Sequence, residues 1–286
     1  MPQPEPRHPE NTLHSVVCVK VVPKPEEIRV DPETRLLERS DARLEINPPD
    51  MNALEIALDV KDRYGGQVSI LSMGPPNFEP GLRIALSLGC DHIYLLSDPA
   101  FGGADTLATT YTLAQAIHKL GQFAPHPPSL IFCGEESSDG ATGQVPAGLA
   151  EWLDIPQLTL LTRLDLDLAR RQARGRREIK GGYEILEAPF QPGSPCLISV
   201  KTAANEPRFI DFRIKNWSLQ PAQVTIWNAA DLSADPNFIG LTGSPTWVSE
   251  LAAAPLDLRK RIFIEGSPDQ IADQLLTLLA EVVSSN

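Results

Sequence analysis

The stretch SLIFCGEESSDGATGQVPAGLAEWL (129–153) decides how the rest of the chain is read. SLIFC (129–133) is a short, continuous apolar run, and VPAGLAEWL (145–153) has helical spacing. Between them, GEESSDGATGQ (134–144) is rich in Gly, Ser and Thr. A strand, such a loop and a helix start commonly hold a phosphate, because backbone N–H groups and the helix dipole point at the anion. Yet this loop carries Glu135, Glu136 and Asp139 and no lysine. An acid facing a phosphate costs binding, on the order of 1 kcal/mol for each nearby like charge at an effective dielectric near 20 or above. Glu135 and Glu136 are therefore expected to turn elsewhere, to solvent or to an amine or hydroxyl of the ligand. The backbone N–H groups of 140–143 are expected to do the holding.

Outward from this unit the same alternation recurs. SVVCVKVV (15–22), QVSILSM (67–73), HIYLLSD (92–98) and SLIFCG (129–134) read as strands. DMNALEIALDVKDRYG (50–65), PGLRIALSLG (80–89), DTLATTYTLAQAIHKLG (105–121) and TGQVPAGLAEWL (142–153) read as helices. Asp50 and Asp105 are N-cap candidates, and Gly65 and Gly121 are stops. The strands are apolar without alternation, which indicates an α/β fold with a parallel sheet covered by helices on both faces. Ligands in such sheets sit at the carboxyl ends of the strands, so loops 20–25, 73–80, 98–105 and 134–144 are the candidates.

From about 158 the pattern changes. LTLLTRLDL (158–166), RREIKGGYEIL (176–186) and PCLISVKTAA (195–204) read as an antiparallel extension, with Gly181-Gly182 as a two-residue hairpin turn. After NEPRF (205–209) periodicity is lost, and this arm is expected to lie on another surface. DQIADQLLTLLAEVV (269–283) reads as a final amphipathic helix. Three segments result: a disordered leader (1–14), an α/β domain (15–205) and a C-terminal arm (206–286). The basic cluster RRQARGRRE (170–178) reads either as a solvated strand or as a docking patch for an acidic partner.

The net charge of −12 and pI near 4.9 argue against nucleic acid as a partner. No apolar run reaches the 18 residues of a membrane span. Cys18, Cys90, Cys133 and Cys196 form no CxxC, so neither a zinc site nor a disulfide framework is indicated; reduced thiols in a cytoplasmic chain fit better. GxSxG, HExxH and GxxxxGK[ST] are absent. His8 and His14 fall in the leader, and His92, His118 and His126 have no triad or metal partner near them in sequence, so no catalytic residue and no metal site are assigned. Nucleotide binding is better supported. Asn47-Pro48, Gly74-Pro75, GGADT (102–106) and SSDGATG (137–143) all stand at helix starts, where Thr106, Thr109, Ser138 and Thr142 can add hydroxyls. Each such turn is, taken singly, ordinary capping.

Taken in order, these stretches resemble the β subunit of electron transfer flavoproteins. They are VCVKVVP (17–23), INPPDMNALEIAL (46–58), VSILSMGPP (68–76), LRIALSLGCDHIYLLSD (82–98), GADTLATTYTLAQAI (103–117), GEESSDGATGQVPAGLA (134–150) and NEPR (205–208). GADTLATT and GLTGSP (240–245) are most similar to the branch linked to nitrogen fixation and carnitine metabolism, several members of which bifurcate electrons.

The resemblance implies a Rossmann-like, adenine-nucleotide-binding fold and a heterodimer with an α subunit that holds FAD. It implies AMP, or a second FAD, in this chain. Electrons would pass from dehydrogenases or NADH to a quinone oxidoreductase, a ferredoxin or a flavodoxin. By position, Cys18, Asn47, Pro48, Asp50 and Met73 would line the adenosine. Asp105, Thr106 and Thr109 would lie on the second side, and Gly134, Asp139, Gly140, Ala141, Thr142 and Gly143 would wrap the phosphates. Arg208 to Trp217 matches a partner-recognition loop anchored by Phe212, and Glu178 matches an acid that steers a mobile flavin domain. The chain departs from the branch at 135–136, usually Lys-Gln, and at Ala141, usually Asp. The acidic pair at 135–136 motivates an alternative: a structural β-like subunit that docks an α partner without nucleotide. A nucleotide-binding regulator or hydrolase on the same fold is the third reading.

Overall fold

The computed structural model describes residues 12–24, 29–30, 37–38, 44–210, 219–220, 223–247 and 263–284. In chain order the elements begin with β1 (His14–Cys18), β2 (Val21–Pro23), β3 (Arg29–Val30), β4 (Leu37–Glu38) and β5 (Leu44–Ile46). The alternating part is α1 (Pro48–Tyr64), β6 (Gln67–Met73), α2 (Glu79–Leu88), β7 (His92–Leu96), α3 (Thr106–Phe123), β8 (Leu130–Gly134) and α4 (Val145–Leu153). Then follow β9 (Gln157–Asp167), β10 (Gln172–Ile179), β11 (Gly182–Pro189), β12 (Cys196–Val200), β13 (Val224–Trp227) and α5 (Pro268–Ser284).

One nine-stranded sheet runs β11-β10-β9-β12-β8-β1-β6-β7-β13. The chain places β6 and β7 successively on one side of β1, then crosses back to lay β8 on the other side. That reversal makes the β1/β8 boundary a switch point, the place where an open α/β sheet leaves a crevice at its carboxyl edge. The reversal also sorts the helices. Leu54, Leu58, Leu82 and Leu86 of α1 and α2 pack with Val17, Ile70 and Phe132 on one face. Tyr111, Ile117, Leu120 and Leu149 of α3 and α4 pack with Val16, Leu71 and Ile131 on the other.

Several local expectations are corrected. The run 15–22 is two strands, because Lys20 leaves the ladder and donates its N–H to Asp50 Oδ2 at 2.7 Å. His14 opens β1 rather than ending a leader, and its Nε2 lies 3.0 Å from Ser69 Oγ in the interior. Residues 1–11 of that leader lie outside the described residues. Helix α3 passes Gly121 and ends at Phe123, held by buried Ile117 and Leu120. Helix α4 begins at Val145, not 142, because Gly140 and Ala141 turn back to Ser137 O.

Within the nine-stranded sheet the antiparallel part is the meander β9-β10-β11; β2 with β5 and β3 with β4 form two small antiparallel pairs apart from it. β12 returns between β9 and β8 and is parallel to both, so PCLISV belongs to the main sheet. Its five residues are all buried, as a central strand with helices on both sides requires. The hairpin turn is Lys180-Gly181: Ile179 pairs with Gly182, and φ of +89° falls on Gly181. The basic cluster reads as a solvated strand, since Arg170, Arg174 and Arg176 lie within 3.8 Å of Asp167, Glu187 and Glu178 respectively.

Residues 223–247 of the arm pack back on this chain. β13 adds to the sheet edge parallel to β7. Trp227 stacks on Tyr94, and Phe238 meets Tyr111 and Trp152. Tyr111 Oη accepts the N–H of Asp235, and Asp98 accepts that of Ala229. Four residues, of which Trp227 alone is buried, carried too little pattern to read as a strand without their neighbour β7.

Candidate nucleotide site

The carboxyl ends of β1 and β8 are tied together by Asp50, at the start of α1. Its carboxylate accepts Lys20 N–H at 2.7 Å and Gly134 N–H at 3.2 Å. Burial pushes the Asp50 carboxyl up to about 7, against the pull of Lys20 N–H, the Asn47 side chain and Gly134 N–H. Asn47, the N-cap residue of α1, works outward instead. Its Nδ2 donates to Glu136 O at 2.9 Å, and its Oδ1 accepts Ser138 N–H at 2.9 Å. One amide therefore binds loop 134–144 to the helix. Pro48 is the exposed first residue of α1.

The lysine missing from the loop comes from the end of β1. Lys20 Nζ lies 2.6 Å from Asp139 Oδ1, and both side chains are part-exposed. Partial burial opposes ionisation of Asp139, but the Lys20 ammonium and the Ser137 hydroxyl outweigh it and lower its pKa. Sequence reasoning missed Lys20 because a strand drawn through 15–22 made it an interior strand residue; its signal was a cation at the carboxyl end of an apolar run.

The two loop glutamates part company. Glu135 Oε1 accepts both the N–H and the hydroxyl of Thr202, at 3.0 and 2.9 Å, so its charge caps the short turn after β12. Glu136 is exposed and holds the loop through its carbonyl. Of the expected phosphate donors, the N–H groups of Gly140 and Ala141 are already given to Ser137 O. Thr142 Oγ1 accepts Gln144 N–H at 3.5 Å. Gly143 has φ of +61° and lies beside Glu135 O.

On the second side, Asp105 caps α3, accepting the N–H groups of Leu107 and Ala108 on Oδ1. Its Oδ2 holds the N–H and hydroxyl of Thr246, and its own N–H goes to Ser244. Partial burial works against its charge, yet Thr246 and the capped N–H groups lower its pKa. Asp105→Ala is expected to cost about 1–2 kcal/mol and to speed hydrogen exchange at Thr246, readable by denaturant titration and mass spectrometry. Thr106 Oγ1 donates to Gln144 Oε1 at 2.9 Å, linking α3 to the start of α4. Thr109 stands on the first turn of α3, half-buried. Met73 packs against the α3 face. Gly103, Ala104, Leu241, Ser244 and Trp247 line an open groove of about 770 Å³ beside this edge.

The residues expected to meet a partner are placed apart from this edge. Arg208 is held on α1 by Glu55, at 3.0 Å, and by Asp62, at 2.9 Å. Asn205 and Asn52 exchange hydrogen bonds just before it. Glu178 stands exposed near the hairpin tip, paired in register with Tyr183. Phe212 lies outside the described residues. Among the described residues, no helix is long and apolar enough to cross a membrane.

The electron transfer flavoprotein domain matches residues 34–232. The protein FixA of Azorhizobium caulinodans is 40% identical over 92% of this chain and 92% of its own length. The electron transfer flavoprotein subunit beta of Thermoanaerobacterium thermosaccharolyticum is 39% identical over 82% of this chain and 86% of its own. The caffeyl-CoA reductase-Etf complex subunit CarD of Acetobacterium woodii is 35% identical over 94% and 98%. With a parallel sheet, a switch-point crevice and similarity of this extent, the chain belongs to the electron transfer flavoprotein family, on its FixA-like β-subunit branch.

Proposed function

We propose that this chain is the β subunit of a heterodimeric electron transfer flavoprotein and binds an adenine nucleotide at the β1/β8 crevice. One observation carries the reading: Asn47, Lys20 and Asp139 bring α1, β1 and the 134–144 loop to one edge, while Glu135 is turned away to Thr202. The site thus sets a lysine beside Asp139 at this edge and turns one of the two loop glutamates away from it. Half of the motive for the reading without nucleotide falls away, because Thr202 takes up the Glu135 charge; Glu136 stays exposed in the loop.

Of the two nucleotides, FAD suits the site better than AMP. The open groove lined by Gly103, Ala104 and Leu241 beside the Asp105 edge leaves room for a flat ring system. A flavin supplies the hydride acceptance and stepwise electron release; the protein supplies position and field. Lys20 would compensate phosphate charge, Asn47 would hold the loop that wraps it, and Gly103 would let the ring approach the backbone. The α partner, which would hold the other FAD, would meet the chain through the segment that begins after Arg208. Electrons would enter from a dehydrogenase or NADH and leave to a quinone oxidoreductase, a ferredoxin or a flavodoxin.

The test is to co-express the chain with its α partner, denature the purified complex and count released nucleotides per heterodimer. Two FAD support the reading in full. One FAD with one AMP keeps the carrier role and removes the FAD assignment. One FAD with no other nucleotide overturns binding by this chain. Lys20→Met is expected to lower nucleotide retention about tenfold, the worth of one charge-assisted contact, because it also leaves Asp139 uncompensated beside the phosphate.

A further inference from the structure

Cys18 and Cys133 stand side by side at the switch point. They are partners in the parallel β1/β8 ladder, and both belong to the α3-facing core. Adjacent strands lie about 4.8 Å apart, within the Cα separation that a disulfide spans. The neighbouring Cys18 thiol and burial hold the Cys133 thiol well above its ordinary pKa. On the opposite face of the same strand ends, Asp50 clasps Lys20 and Gly134, so the spacing of β1 and β8 is fixed here. Cys90 and Cys196 lie in the other core cluster, where Cys196 is paired with Leu130. The nucleotide assignment uses Cys18 only as a lining residue and Cys133 not at all.

We propose that Cys18 and Cys133 form a dithiol modification site, oxidised by a hydroperoxide to an intramolecular disulfide. Cys18 is oxidised first, being 7% exposed against 4% for Cys133. The Cys18 proton is lost and its sulfur attacks one oxygen of hydrogen peroxide. The S–O bond forms, the O–O bond breaks, and the departing hydroxide leaves as water. Cys133 sulfur then attacks the Cys18 sulfur. The S–S bond forms, the S–O bond breaks, and the second hydroxide takes up the Cys133 proton. The two sulfurs lose the two electrons that the peroxide gains. Parallel neighbours hold their Cβ atoms farther apart than the mean disulfide value of about 3.8 Å, so the bond is strained and easily reduced by thiols.

The test uses the full chain exposed to hydrogen peroxide, then denatured in iodoacetamide and mapped by non-reducing mass spectrometry. The expected product is a peptide pair joined through Cys18 and Cys133, separated again by dithiothreitol, with Cys90 and Cys196 alkylated. In Cys133→Ser, Cys18 is expected to stop at the sulfenic acid, trapped by dimedone. The primary readout is on the unaltered chain, so a folding defect in the variant leaves it intact. The proposal is overturned if Cys18 and Cys133 are both alkylated after a peroxide dose that oxidises a cysteine peptide in the same tube. It is overturned equally if Cys18 links to a different cysteine.

Discussion

Gly134→Ala is expected to cost about 3 kcal/mol of stability and to disrupt the proposed nucleotide site. A Cβ at this position would stand 2.4 Å from Asp50 Oδ1, 2.7 Å from Pro49 C and 2.8 Å from Asp50 N. Two of these atoms are backbone in the first turn of α1, so no side-chain rotation relieves the clash. The helix must back away from β8, and three contacts go with it: Gly134 N–H to Asp50, Lys20 N–H to Asp50, and the Asn47 grip on the loop. Buried donors left without acceptors each cost about 1–3 kcal/mol. Urea unfolding with a count of released nucleotide measures both effects. A variant as stable as the parent, with its nucleotide retained, would mean that α1 does not rest on β8 as described. The chain has glycines with positive φ elsewhere, but here the demand is for space.

Asp50→Asn is expected to change the pH profile of stability as well as its level. The wild-type carboxyl is raised from 3.8 to about 7 in the folded state. A raised folded pKa means that the stability it confers is fully present below the unfolded pKa and is lost as pH rises towards 7. His14 has the opposite sign. Burial lowers it from 6.5 to about 4, opposed in part by its hydrogen bond to the His126 carbonyl. Its folded form stays neutral while the unfolded chain takes up a proton, so its stability is lost as pH falls from 6.5 towards 4. His92, lowered by burial, adds in the same direction as His14.

In the wild type these slopes oppose each other between about pH 4 and 6.5, and the profile is expected to be shallow there. Asp50→Asn removes one slope and leaves the other. Its stability is expected to fall by on the order of 3 kcal/mol from about pH 6.5 to about pH 4. A further 1–3 kcal/mol, roughly, is lost throughout, because one carbonyl oxygen replaces an acceptor of two buried N–H groups. Denaturant titrations across this range decide it. A variant whose profile parallels the wild type would show that Asp50 is ionised throughout, its hydrogen bonds outweighing its burial. Asp98, Asp105 and Asp139, all lowered, act below this window and leave the comparison intact.

The α/β alternation up to residue 153 was legible because each strand is a continuous apolar run and each helix has a clear apolar face. Asp105 was legible as a cap because capping is decided within three residues of sequence. Asp50 was read as a cap as well, but Asn47 holds the N-cap position and Asp50 points inward to two strand ends. No local rule distinguishes those uses of an acid in a first helical turn. The same holds for Glu135, whose charge looked hostile to phosphate until Thr202, from another strand's exit, was found to take it up.

The sequence by itself determined the α/β alternation up to residue 153, pointed to the carboxyl edge for the candidate site and, through ordered motifs, determined the family. These follow from short-range periodicity, turn chemistry and motif order, all written along the chain. Tertiary structure alone decided which strand lies beside which. It placed β12 between β8 and β9, brought β13 back to β7, and set Lys20 against Asp139 across 119 residues. Strand order and side-chain direction depend on crossovers and on groups far apart in sequence. The charge balance of the site therefore becomes visible only once β1, β8 and α1 meet.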